Sequence, residues 1–129
     1  MNNLALRGID DATRLLCARR EIDIVTFSPL GAGFLTGKYD TGVPEGSRFA
    51  VIPGHQRLYL TDTARARLAR LQSVSARLKI EPTDLALAWA LHQPGISTVL
   101  VGGRSPAQLD RSARAQKLDL PEVFRELEM

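Results

Sequence analysis

The sequence has a single cysteine among its 129 residues, Cys17. One cysteine cannot form an internal disulfide, and its place in the apolar run 15–18 predicts a small side chain that fills space in a core. The first residues have neither the basic start nor the apolar segment of a secretory signal. No stretch approaches the roughly 20 apolar residues of a membrane span. We therefore expect a soluble, cytoplasmic protein that does not engage a membrane.

The sequence also has few aromatic residues and a small net charge. Phe, Trp and Tyr make up 5% of the chain, and the formal charge at pH 7 is +3. That small excess is compatible with an anionic ligand, but a solvated basic surface is the favoured explanation. Binding of nucleic acid through Arg65, Arg67, Arg70 and Arg77 is not expected, because these arginines alternate with a packing face and lack aromatic partners for base stacking.

The length and a hydrophobic content of 44% predict one domain over residues 1–129. Hydrophobic spacing and end signals predict helices over residues 11–20, 60–78, 83–92 and 107–115 and from residue 122. The β-branched runs 22–27 and 96–101 predict two buried strands. This order predicts parallel strands joined by a crossover, hence an α/β protein. Two strands are too few for a closed barrel or an ordinary open sheet, so the fold looks incomplete.

A glycine-rich segment extends from Gly31 to Tyr59 without sustained periodicity. A connector of that length is usually functional or mobile. Gly31, Gly33 and Lys38 suggest a phosphate-binding loop, since backbone amides without a nearby Cβ can approach anionic oxygens. Neither standard pattern fits, because Ala32 stands where a Walker A loop needs glycine and Thr36 where the Rossmann fingerprint does.

Two longer strings give a more specific match. The run SPLGAGFLTGKYDTGVPEGSR, residues 28–48, is similar to the segment after the seventh strand of aldo-keto reductases. The run LALAWALHQPGISTVLVGGRSPAQL, residues 85–109, resembles the family's seventh helix, eighth strand and adenosine-binding loop. The family fold is a (β/α)8 barrel, so the resemblance implies a partial TIM barrel that contains only the C-terminal βα units.

The resemblance also implies an NADP(H) site. The residues that would line the pyrophosphate and nicotinamide side are Ser28, Pro29, Leu30, Gly31 and Ala32, with positive charge from Lys38 and Arg48. The residues that would meet the adenosine ribose and its 2′-phosphate are Gly102, Arg104 and Gln108. Independently of any family, a guanidinium beside a helix start after Ser105 forms an anion site. The match departs at Arg111 and Ser112, where members typically carry a Glu-Asn pair near the adenine, and weaker adenine hydrogen bonds are expected.

The function implied for the complete protein is NADPH-dependent carbonyl reduction. The family's catalytic tetrad, an Asp, a Tyr, a Lys and a His, belongs to earlier strands, and no residue here is assigned to it. We reject four residues as catalytic acids or their partners: Tyr39, Tyr59, His55 and His92. Their positions in the long loop or at the end of a packed helix favour a structural role. Two hypotheses stay open: an oxidoreductase fragment that needs the missing portion, and a non-catalytic assembly protein derived from a half-barrel. Unpaired strand edges predict self-association or a partner that supplies the missing strands.

Overall fold

The computed structural model describes residues 1–129 as helices around two short strands. The helices are α1 (Asp11–Arg19), α2 (Arg48–Val51), α3 (Gly54–Tyr59), α4 (Asp62–Leu78), α5 (Pro82–Leu91), α6 (Pro106–Ala115) and α7 (Pro121–Glu128). The remaining elements are β1 (Val25–Phe27), a 3-10 helix (Gly31–Thr36) and β2 (Thr98–Leu100). None of the helices combines the length and the apolar character that a membrane crossing requires.

The helix predictions are confirmed, with ends that lie within two residues of the expected positions. Local signals explain this agreement. The carboxylate of Asp10 accepts a hydrogen bond from the Thr13 amide at the start of α1, and the Thr61 hydroxyl accepts one from the Ala64 amide at the start of α4. Prolines occupy the first turn of α5, α6 and α7, where the missing N–H costs nothing.

The two strands pair in parallel, with Val25 opposite Thr98 and Phe27 opposite Leu100. The α/β class with parallel strands is thereby confirmed. Each strand has three residues, whereas runs of six were predicted. Ladder hydrogen bonds need a neighbouring strand, and β1 and β2 have only each other.

The prediction that both strands are buried is wrong. Val25, Phe27 and Leu100 are 55%, 50% and 56% exposed, whereas Thr26 is buried. Successive side chains of a strand point to opposite faces, so one face of the sheet meets the helices and the other lies open to solvent. The open face carries the apolar side chains that a parallel sheet normally covers with a second layer.

The hydrophobic core lies among the helices. Helix α5 is buried continuously from Leu85 to Ala90, as its nearly all-apolar sequence predicts. Helix α4 contributes a buried stripe, Ala64, Leu68, Leu71 and Val74, and α7 contributes Phe124 and Leu127. The prediction that Cys17 fills a core is wrong, because α1 has no buried residue and Cys17 is only partly covered. Helix α1 and the open face of the sheet are thus both without a covering layer.

The segment from Gly31 to Tyr59, which has no sustained periodicity, forms a 3-10 helix and two short α-helices and contributes four aromatic side chains to the core. Phe34, Tyr39, Phe49 and Tyr59 are each at most 2% exposed. Their rings stack, with centroids 3.8 Å apart for Tyr39 and Phe49 and 5.6 Å apart for Phe34 and Tyr59. We call these four residues the aromatic stack. Their irregular spacing matches no helix or strand period, which is why periodicity missed them.

Truncation of the aromatic stack should be costly. We expect Phe49→Ala to lower the free energy of unfolding by roughly 3 to 5 kcal/mol, because a fully buried ring leaves a cavity among its neighbours. The matched control is Val51→Ala in the same helix, a side chain that is 70% exposed, which should change stability by less than about 0.5 kcal/mol. Urea unfolding followed by circular dichroism measures both. Equal effects of the two substitutions would contradict the packing assigned to α2.

Alkaline pH should destabilise the chain through Tyr59. Burial raises the pKa of the Tyr59 phenol, and the hydrogen bond from Asn3 only partly opposes this. The stabilising contribution of the neutral phenol is therefore complete below the unfolded pKa of about 10 and is lost as pH rises through the higher folded pKa. We expect the free energy of unfolding to fall from about pH 9 to about pH 11 by more in the wild type than in Tyr59→Phe. Identical pH slopes would refute this.

Candidate functional site

Two glycine-rich segments begin at the same edge of the sheet. Because β1 and β2 run parallel with Phe27 opposite Leu100, the residues that follow each strand emerge side by side. We call Ser28–Gly33 the glycine turn and Gly102–Gln108 the arginine loop. In parallel α/β folds, ligands bind outside the carboxyl ends of the strands, which is the edge where these two segments lie.

The glycine turn has a strained backbone. Ser28, Gly31, Ala32 and Gly33 all have positive φ, at 59°, 59°, 55° and 91°. Glycine adopts this region without penalty, whereas Ser28 and Ala32 each cost about 1 to 2 kcal/mol there. A Cβ on Gly31 would lie 2.8 Å from Cε1 of Tyr59, so the turn presses directly on the aromatic stack.

The side chains of the glycine turn face the core for the most part. Pro29 is buried, and Leu30 and Ala32 pack against the core from partly covered positions. These predicted site residues therefore have mainly backbone to offer a ligand. The Ser28 carbonyl is already an acceptor, bonded to the Gly31 amide at 3.0 Å.

Lys38 folds back over the glycine turn. A Cβ on Gly33 would lie 2.6 Å from the Lys38 Cε and 2.7 Å from its Nζ. The same ammonium lies 4.9 Å from the centroid of the Tyr39 ring, a distance at which the ring attracts a cation. Glycine at position 33 thus makes room for the positive charge that the sequence assigned to this site.

Arg48 is anchored less directly. It is the first residue of α2, whose Phe49 stacks on Phe34 with the ring centroids 6.5 Å apart. This packing ties α2 to the 3-10 helix that contains Gly33. The Arg48 side chain is exposed and makes no ion pair, so the structure does not join its guanidinium to the glycine turn.

The arginine loop lies open to solvent. A Cβ on Gly102 would have no atom within 4 Å, and the Arg104 side chain is exposed. The Arg104 amide donates to Oε1 of Gln108 at 2.7 Å. Ser105 precedes α6 with the extended backbone of an N-cap residue, but its side chain makes no capping hydrogen bond. Gln108 therefore fixes the loop with its amide oxygen and keeps its amide nitrogen free of partners within the chain.

The three cations that the sequence predicts at the site lack a carboxylate partner. The ion pairs of the chain join Arg77 to Glu126, Arg111 to Asp84 and Arg125 to Glu122. None of them uses Lys38, Arg48 or Arg104. Lys38, which lies over Gly33, and Arg104 are thus available to an anion near the edge where the strands end.

The two positions at which the sequence departs from the family pattern are engaged elsewhere. Arg111 Nε lies 3.4 Å from Oδ1 of Asp84, which links α6 to α5. The Ser112 hydroxyl donates to the Gln108 carbonyl at 3.1 Å within α6. Both side chains serve helix contacts, and neither replaces the acceptor and amide that family members place near an adenine.

Asn3, for which the sequence indicates no role, contacts the glycine turn. Its Nδ2 donates to the Ser28 carbonyl and to the Tyr59 hydroxyl, both at 3.0 Å. The two partners are distant in sequence, so no local pattern reveals them. The one available signal is the polar pair Asn2 and Asn3 beside the apolar run 4–6, because a buried amide there needs partners.

The tyrosines and histidines rejected as catalytic acids have structural contacts. The Tyr39 hydroxyl lies 3.4 Å from the Ala32 carbonyl, and the Tyr59 hydroxyl bonds with Asn3. His55 packs 5.9 Å from the Phe49 ring, and Nδ1 of His92 lies 2.9 Å from the Ala88 carbonyl.

Comparison with known proteins shows which family the chain resembles. A family model described as the Aldo/keto reductase family matches residues 7–127. The chain is 33% identical over 110 residues to a putative voltage-gated potassium channel subunit beta of Schizosaccharomyces pombe, covering 79% of the chain and 32% of that relative. It is 33% identical over 118 residues to a probable voltage-gated potassium channel subunit beta of Arabidopsis thaliana, covering 88% of the chain and 36% of that relative.

The chain therefore spans about a third of the length of the curated relatives it matches. The family match extends over nearly all of its residues and includes both the glycine turn and the arginine loop. The chain belongs to the aldo/keto reductase family.

Proposed function

We propose that this chain forms the C-terminal βα units of a (β/α)8 barrel and supplies the NADP(H)-binding loops of a carbonyl oxidoreductase. In this proposal residues 1–129 form a single domain, which is the C-terminal part of that barrel. The observation that carries it is the parallel pairing of β1 and β2, which brings the glycine turn, with Lys38 over Gly33, and the arginine loop to one sheet edge. When bound, NADPH supplies the hydride that reduces a carbonyl carbon.

The residues at this edge fit a dinucleotide phosphate. The glycine turn, with Lys38 folded over Gly33, would hold the pyrophosphate through backbone amides and one positive charge. Arg104 and the free amide nitrogen of Gln108 would hold the 2′-phosphate. A charge-assisted hydrogen bond contributes roughly 1.5 to 3 kcal/mol, so even one such bond discriminates between cofactors with and without that phosphate.

The open sheet face supports the barrel part of the proposal. Val25, Phe27 and Leu100 lie on the face that the helices do not cover. In a closed barrel that face is filled by side chains of the other strands. Those strands would also bring the catalytic tetrad, for which this chain offers no candidate.

A second candidate function is that of a non-catalytic subunit. Two relatives are named as potassium channel beta subunits, a description that refers to assembly with another protein. The apolar open face of the sheet favours this candidate as well, because such a face promotes association. In this case the glycine turn and the arginine loop would be relics of a cofactor site.

Replacement of Arg104 tests the 2′-phosphate contact. We expect Arg104→Ala to weaken NADPH binding by roughly tenfold to a hundredfold and to leave NADH binding unchanged, because NADH lacks the phosphate. Isothermal titration calorimetry of both cofactors measures this. The matched control is Arg114→Ala, an exposed arginine at the other end of α6, which should change neither affinity. Equal losses for NADPH and NADH would show that Arg104 supports the loop and does not read the phosphate.

The open face of the sheet should drive association. We expect the wild-type chain to self-associate with increasing concentration, and Leu100→Ser to reduce this because it places a hydroxyl in the apolar face. Val51→Ser is the control, since Val51 is exposed and apolar but lies on α2, away from the sheet. Sedimentation velocity at several concentrations decides, and a wild-type chain that stays monomeric throughout would contradict the prediction.

A further inference from the structure

We infer that Asn3 and Tyr59 form a positioning pair that holds the glycine turn in its strained conformation. The inference rests on the proposed function, because it concerns the turn that would bind the cofactor pyrophosphate. Left-handed backbone at residues other than glycine persists only where the surroundings fix it. Ser28 and Ala32 are such residues, so something outside the turn must hold it.

Asn3 holds the beginning of the turn. Its side chain is fully buried, and Oδ1 accepts from the Leu6 amide at 3.1 Å while Nδ2 donates to the Ser28 carbonyl. The Leu6 amide can only donate and the Ser28 carbonyl can only accept, so this pattern determines the orientation of the Asn3 amide. The carbonyl of a strained residue is therefore tied to a side chain that cannot rotate.

Tyr59 holds the middle of the turn. Its hydroxyl accepts the second Nδ2 hydrogen of Asn3 and donates to the Met1 sulfur at 3.2 Å. Its ring occupies the space that a side chain on Gly31 would need. One hydrogen-bonded pair thus contacts the turn at Ser28 and at Gly31, the two ends of the segment SPLG that the cofactor proposal depends on.

The contacts of this pair differ from ordinary core packing. Loss of the Asn3 amide would leave the Ser28 carbonyl without its side-chain partner, and Ser28 would gain freedom to relax towards extended backbone. The helical core of α4, α5 and α7 has no hydrogen bond to the Asn3 side chain. The effect should therefore fall on the glycine turn and spare the arginine loop.

The neighbouring residue provides a matched control. Asn2 is as buried as Asn3, but neither polar atom of its side chain has a hydrogen-bond partner. Its only polar contact with the sheet is through the backbone amide, which donates to the Phe27 carbonyl at 3.3 Å. Asn2→Ala removes the same chemical group from the same segment without touching the turn.

The test compares Asn3→Ala, Tyr59→Phe and Asn2→Ala with two probes, at a temperature where circular dichroism shows every variant folded. NADPH would engage both the glycine turn and the arginine loop, whereas adenosine 2′,5′-bisphosphate would engage only the arginine loop. For Asn3→Ala we expect NADPH binding to weaken about tenfold and adenosine 2′,5′-bisphosphate binding to stay within about twofold. Tyr59→Phe should show a smaller loss of the same kind because its ring remains, and Asn2→Ala should show none.

Equal losses for both probes, or no loss of NADPH affinity in either Asn3→Ala or Tyr59→Phe, would overturn the inference. If the wild-type chain binds neither probe, the proposed function fails and a separate measurement decides on the pair. Hydrogen exchange by NMR should then show faster exchange of the Gly31 and Gly33 amides in Asn3→Ala and Tyr59→Phe than in Asn2→Ala, with core amides of α5 unaffected. Unchanged exchange at the turn would overturn the inference on its own.

Discussion

The contact between the Tyr59 ring and the Cβ-free face of Gly31 links the core of this chain to its candidate site. A side chain at position 31 would collide with the ring at 2.8 Å, so the turn can approach the aromatic stack only with glycine there. Tyr59 in turn stacks on Phe34 and Phe49. The shape of the turn after β1 is thus set by aromatic packing at the far end of the Gly31–Tyr59 segment, which a view of the segment as a connector would miss.

The elements that the sequence predicts correctly are those that local signals determine. Apolar spacing predicts α4, and an N-terminal proline with an apolar run predicts α5, whereas the Thr61 cap makes α4 begin two residues after the predicted start. Features that depend on distant partners are not predicted correctly. The strands are shorter and more exposed than their β-branched sequences predicted, because length and burial of a strand depend on neighbours that this chain does not provide. The ring contact between Tyr39 and Phe49 has no periodic signature either.

The candidate site divides in the same way. Only the family resemblance identifies the glycine turn and the arginine loop as cofactor-binding segments. The Walker A and Rossmann motifs do not fit, because Ala32 and Thr36 stand where those motifs require glycine. The internal contacts of the two segments were not foreseen. Ser105 does not cap α6, and the Gln108 side chain bonds the Arg104 amide instead. Asn3 is separated in sequence from Ser28 by 25 positions and from Tyr59 by 56. Only the folded chain shows that these residues are in contact.

Charge illustrates why composition alone could not identify the ligand. Several arginines are occupied at the C-terminal end of α7, where Arg7 donates to the Leu127 and Glu128 carbonyls and Arg70 to that of Glu126. Burial lowers the pKa of Arg7, and Arg67 adds repulsion. These guanidinium groups compensate the negative end of a helix dipole, so recruiting them to another anion would leave helix carbonyls unpaired. Lys38 and Arg104 make no ion pair within the chain. Lys38 and Arg104 are therefore available to an anion near the ends of the parallel strands, although the net charge of the chain is small.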